Sequence, residues 1–186
     1  MGMLDVNLQF SNAQAITADA ASTGFYDQLT GTMGTTTFSL TPNAIWGKAT
    51  YFGEDLGIGK GLGTPRVVVN TGTVFATIVD LTIKFQGAPN NVTAAASGNR
   101  SDLTFVTYMA TRAIPVAALT ANTRIASFDW PMRSTPNTLA LPRFVELYYD
   151  VNTSATTGTV TADVTLGDDD AQGTLQRTSN NYTVAA

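Results

Sequence analysis

Arg143-Phe144-Val145-Glu146-Leu147-Tyr148-Tyr149-Asp150-Val151, followed after a Thr- and Gly-rich turn by Gly158-Thr159-Val160-Thr161-Ala162-Asp163-Val164-Thr165-Leu166, decides the fold class. In the first run Val145, Leu147, Tyr149 and Val151 alternate with Phe144, Glu146, Tyr148 and Asp150. In the second, Val160, Ala162, Val164 and Leu166 alternate with polar neighbours. Successive side chains of an extended chain point to opposite faces, so a period of two marks strands with one apolar face. The two runs predict an antiparallel hairpin.

Working outward, the same signal recurs between turn residues. Residues 4–10 alternate strictly. Residues 66–70 form a short apolar run, and residues 74–86 place Phe75, Val79, Leu81, Ile83 and Phe85 on one face, with a bend expected near Thr77. Shorter pieces fall at 36–40, 45–52, 103–109, 123–128 and 181–185, and 114–119 is a crossing punctuated by Pro115. Residues 11–22 lack an amphipathic stripe and are taken as extended. The sum is eight or more short antiparallel strands: an all-β, jelly-roll-like sandwich.

A chain of 186 residues fits one domain. We expect an N-terminal strand and extended arm over 1–23 and a single β-sandwich over 24–186. Charged residues make up only 13% of the chain, against about a quarter in an average protein, so much of the surface is expected to face other protein. The net charge of −4 and the absence of any Lys/Arg run argue against nucleic acid as a partner. The chain has no Cys and no His, which removes disulfides, thiolate and imidazole chemistry, and zinc sites built on those ligands. No basic leader precedes an apolar stretch, and no run of about 18 apolar residues occurs. The expectation is a non-enzymatic protein without cofactor or metal, made in a cytosol and not bound to a membrane.

Several motifs have plainer readings. The Gly-rich stretch 53–63 contains Lys60, but Glu54 and Gly61 stand where a phosphate-binding loop needs Gly and Ser or Thr. It reads as a loop. Asp168-Asp169-Asp170 lacks the remaining ligand positions of a calcium loop and reads as a solvated turn. Glu54 and Glu146 are the only glutamates, and a glycosidase needs two carboxylates across a cleft. The Asn-X-Ser/Thr triplets at Asn91, Asn99, Asn152 and Asn181 are what a Thr- and Asn-rich chain produces freely. Trp46, Tyr51, Phe52 and Trp130 fall in less regular stretches, where an aromatic serves as an interface anchor, a sugar-stacking platform or a cap on the core.

Specific segments carry a resemblance. They are Met3-Leu4-Asp5 with residues 8–17 and Ala20-Ala21-Ser22-Thr23, then Asp55-Leu56-Gly57-Ile58-Gly59, Ile114-Pro115-Val116-Ala117-Ala118-Leu119, residues 143–149, Gly158-Thr159-Val160-Thr161-Ala162 and Asn181-Tyr182-Thr183-Val184-Ala185. In this order they resemble the capsid cement (decoration) proteins of tailed bacteriophages, the Bbp16-like family. Met1-Gly2 and residues 24–54, which shorter members lack, depart from the pattern and suggest an insertion. The resemblance implies a jelly-roll-like fold, attachment to the outside of an HK97-type shell through the major capsid protein, and a small homo-oligomer, dimer or trimer, at a symmetry axis. On that reading residues 4–17, with Leu4, Val6, Leu8 and Phe10, are an arm or edge strand that pairs with another subunit. Trp46, Tyr51, Phe52 and Trp130 are further candidate contacts. The alternative function is a carbohydrate-binding jelly roll of a virion.

Overall fold

The computed structural model describes residues 9–28, 32–38, 66–88, 98–129 and 142–165. Through them run β1 (Gln9–Ala15), β2 (Ala20–Ala21), β3 (Phe25–Asp27), β4 (Thr32–Gly34), β5 (Arg66–Thr71), β6 (Asp80–Ala88), β7 (Val106–Ala110), β8 (Ile114–Pro115), β9 (Arg124–Asp129), β10 (Phe144–Asn152) and β11 (Thr159–Thr165). Every pairing among them is antiparallel. They form two sheets, one in the order β1-β11-β5-β9 and the other β4-β3-β10-β6-β7. In the second sheet β2 and β3 occupy successive stretches of one edge of β10, and β7 and β8 do the same along β6. The all-β sandwich expected from the alternation is the observed fold.

The sheets pack face to face over one apolar core. Val67, Val69, Phe128, Val160, Ala162 and Val164 come from the first sheet, and Tyr26, Leu81, Ile83, Phe85, Val145, Leu147 and Tyr149 from the second. The Phe85 and Phe128 rings meet across the gap with centroids 6.1 Å apart. Each large side chain taken out of water here contributes about 1.5–3 kcal/mol, which is what holds the layers together.

The hairpin expected from 143–151 and 158–166 is corrected. β10 pairs with β6, β3 and β2, whereas β11 pairs with β5 and β1 in the opposite sheet. The link between them crosses the sandwich. It passes Thr153 at φ +71°, buries Ala155, whose N–H donates to the Thr17 carbonyl, and ends at Gly158 at φ +144°. Alternation shows that a strand has one apolar face; it is identical for neighbours in one sheet and for strands facing each other across a core.

Two further expectations shift. The strand expected over 74–86 begins at Asp80, because Thr77 adopts φ +65° and breaks the extended run. The bend changes the phase, so Ile78 is buried and Val79, placed by its spacing on the inner face, is 55% exposed. In β1 the register with β11 slips between Gln9 and Ser11 and again between Ser11 and Gln14, with Ala13 at φ +46°. These bulges turn both Phe10 and Ser11 inward. The described part of the expected arm therefore lies in the sandwich, β1 beside β11 and β2 beside β10.

Candidate functional site

The first half of β10 is buried on both faces. Val145 and Leu147 enter the central core, while Phe144 and Glu146 point the other way and are covered too. The cover is a small ribbon laid over the outer face of the sheet. Phe38 N–H donates to the Gly98 carbonyl at 2.9 Å, Thr37 bridges Asn99, and Arg100 N–H donates to the Thr36 carbonyl at 2.8 Å. A 3-10 turn at Arg100–Asp102 then carries the chain toward Leu103 and Phe105, which pack on this side.

Aromatic contacts and ion pairs fasten the ribbon. The Phe38 ring lies 4.5 Å from Phe144 and 6.4 Å, edge-on, from Phe25. Arg143 donates to both Asp27 oxygens, Nε at 3.0 Å and a terminal nitrogen at 2.8 Å, with side chains only 3% and 4% exposed. Its guanidinium also sits 4.5 Å from the Phe144 ring centroid. The close packing excludes a side chain at Gly34, where a Cβ would come within 2.7 Å of the Phe25 ring.

Beside this cluster an open cavity of about 490 Å³ is lined by Thr35, Thr36, Asn99, Arg100, Ser101, Phe105 and Glu146. Arg100 donates from Nε (2.9 Å) and from a terminal nitrogen (2.6 Å), and both bonds go to the same Glu146 oxygen, Oε2. Its other terminal nitrogen makes longer bonds to the Thr23 and Thr35 carbonyls, 3.3 and 3.4 Å, and the guanidinium lies over the Phe25 ring. Burial pushes the Glu146 carboxyl above its ordinary range, and the charge and hydrogen bonds of Arg100 pull it only part of the way back. Chemically, the arrangement is an acceptor held rigidly by a cation in a neutral pair. Glu146 is the single carboxylate among the described lining residues. Among the described residues no group of three His, Cys, Asp or Glu side chains is placed to hold a metal.

Of the candidate contacts read from the sequence, Phe10 is corrected. Its side chain is fully buried within the chain's own core, on the inner face of β1. Leu4, Val6, Leu8, Trp46, Tyr51, Phe52 and Trp130 lie outside the described residues, as do the Gly-rich stretch 53–63, Asp168-Asp169-Asp170 and the strands expected at 45–52 and 181–185. Arg100, Phe105 and the 35–38 segment were missed. Their only sequence signal is an isolated cation in a charge-poor chain, and nothing local ties it to a glutamate 46 positions away.

No protein-family model matches this chain, and no curated protein matches it either. Among the described residues no helix is long and apolar enough to cross a membrane.

Proposed function

We propose that the protein is a virion structural protein that binds the outside of a phage capsid and cements it by bridging neighbouring major capsid protein subunits. The observation that carries the reading is the collinear set of segments resembling capsid cement proteins, of which residues 9–17, 114–119, 143–149 and 158–162 fall on strands and turns of an antiparallel sandwich. A surface poor in charge supports it, since few ionic groups need to be desolvated when protein meets protein.

The mechanism is linkage. A domain that binds only the assembled lattice stabilises that state by mass action. As a small homo-oligomer gripping several sites it gains roughly 10²–10⁴ in avidity without any new kind of contact. A rigid scaffold serves this role, and here the first half of β10 is covered on both faces, on one by the core and on the other by the ribbon and its ion pair.

The test is to add purified protein to undecorated HK97-type shells and image them. Density at fixed lattice positions, with raised resistance of the shells to heat, is the expected result; bare shells at micromolar protein refute the proposal. Because Phe10 belongs to the core, the informative truncation removes residues 1–8 only. Loss of decoration by that variant, with its thermal midpoint kept, assigns the contact to the arm.

A further inference from the structure

We infer that the cavity between the 35–38 and 98–105 segments and the outer face of β10 takes an uncharged polyhydroxy ligand, a sugar ring or its chemical equivalent, oriented by Glu146. The inference stands apart from the cement reading, since a decorating protein functions with or without it.

Both hydrogen bonds from Arg100 converge on Glu146 Oε2, while Oε1 accepts none among the described residues although the side chain is 4% exposed and lines the cavity. That oxygen faces the open cavity and is free to accept from whatever fills the space, and a carboxylate acceptor makes a stronger hydrogen bond than a neutral one. The class of donor follows from charge. Arg100 already neutralises Glu146, so an ammonium ion meets the guanidinium as well as the carboxylate, and an anion meets the carboxylate as well as the guanidinium. A neutral hydroxyl escapes both penalties and receives a charge-assisted bond.

The rest of the lining has matching chemistry. The exposed hydroxyls of Thr35, Thr36 and Ser101 supply further donors and acceptors on the rim. Phe105, half-buried, supplies an apolar ring for the C–H face of a sugar. The volume of about 490 Å³ falls within the ~300–1,000 Å³ usual for small-molecule sites.

The test is a titration of the full-length, isotopically labelled protein with glucose, galactose, mannose and N-acetylglucosamine, each to tens of millimolar, followed by amide chemical shifts. Methylammonium and acetate serve as charged controls. Saturable shifts centred on Arg100, Ser101 and Phe105 with at least one sugar, and none with the ions, are expected. Glu146→Gln should weaken that binding roughly tenfold, the factor to which about 1.4 kcal/mol of lost charge-assisted bonding corresponds. Phe105→Ala provides an independent check that leaves the ion pair intact, and should weaken binding as well. No sugar-dependent shift, which would mean that the cavity holds water only, overturns the inference. So does methylammonium binding in place of sugar, or sugar binding unchanged in a folded Glu146→Gln or Phe105→Ala variant. No capsid is present in this experiment, so its failure is distinct from failure of the decoration assay.

Discussion

The hydroxyl of Ser11 in β1 and the phenol of Tyr149 in β10 share a hydrogen bond of 2.8 Å through the interior of the sandwich, joining one sheet to the other. Ser11 also donates to Gln14 Oε1 at 2.8 Å, and Gln14 in turn receives the Thr23 N–H and donates to the Ala21 carbonyl. Burial pushes the Tyr149 phenol well above its ordinary value, and the Ser11 bond offsets only part of that, so the hydroxyl stays protonated. Replacing Tyr149 by Phe keeps the ring and leaves a buried hydroxyl short of a partner. The expected loss is about 1–2 kcal/mol in urea unfolding. A double-mutant cycle with Ser11→Ala should return a coupling of at least ~0.5 kcal/mol; additive losses would show that the bond does not couple the sheets.

The Asp27–Arg143 pair ties β3 to the start of β10 almost wholly out of water. Arg143→Met strands the Asp27 carboxylate without its guanidinium, at an expected cost of about 3–5 kcal/mol. Removing both charges, as Asp27→Leu with Arg143→Met, should be less damaging than the single change, because no buried ion is left behind. Chemical denaturation of the natural protein and the two variants checks the order.

Gly158 closes the crossing between β10 and β11 at φ +144°, and a Cβ there would run into the Phe75 ring. Both the backbone conformation and the contact demand glycine. Gly158→Ala is expected to cost ~2–4 kcal/mol. The cost should shrink in a Phe75→Ala background, where the ring is gone; an equal cost in both backgrounds would assign the whole effect to the backbone.

Asp163, on the outer side of β11, accepts a 2.8 Å hydrogen bond from Gln9, yet burial holds its carboxyl above the ordinary value and the Gln9 bond only moderates this. A raised carboxyl pKa means that the folded state binds the proton more tightly than the unfolded chain. The corresponding stability is fully present below the unfolded value and is lost as pH rises through the folded one. Relative to Asp163→Asn, which does not titrate, the natural protein should therefore gain stability as pH falls from neutral toward the ordinary aspartate range. Thermal midpoints of the two proteins across that window test the sign, and a gap independent of pH would contradict it.

Much of the fold was legible before any coordinates. The alternation of β11 and the apolar phase of Leu81, Ile83 and Phe85 each identify a strand and its buried side, and the runs over 66–70 and 143–151 identify strands, although the first half of β10 is buried on both faces and not on one. The differences arise where the regular extended run is broken. Thr77 shifts the phase that places Val79 inside, and the slip between Gln9 and Ser11 leaves the neighbours Phe10 and Ser11 both buried. Thr77 carries its positive φ on a residue that is not glycine, which sequence alone does not signal.

The candidate site was not legible at all. Glu146 drew notice only as one of two glutamates, and Arg100 only within an Asn-X-Ser triplet. They meet because the 98–105 segment folds back over the outer face of β10, a contact set by packing over the whole domain.

Composition and periodicity by themselves determined an all-β protein, poor in charge, without thiol or imidazole chemistry, and which face of its main strands is buried. They did so because strand period and burial are local properties of the chain. Only the tertiary structure decided that β10 and β11 belong to opposite sheets, that Phe10 is core, and that Arg100 and Glu146 share a cavity. Partner choice between strands, and between charges far apart in sequence, is settled by the packing of the two layers as a whole.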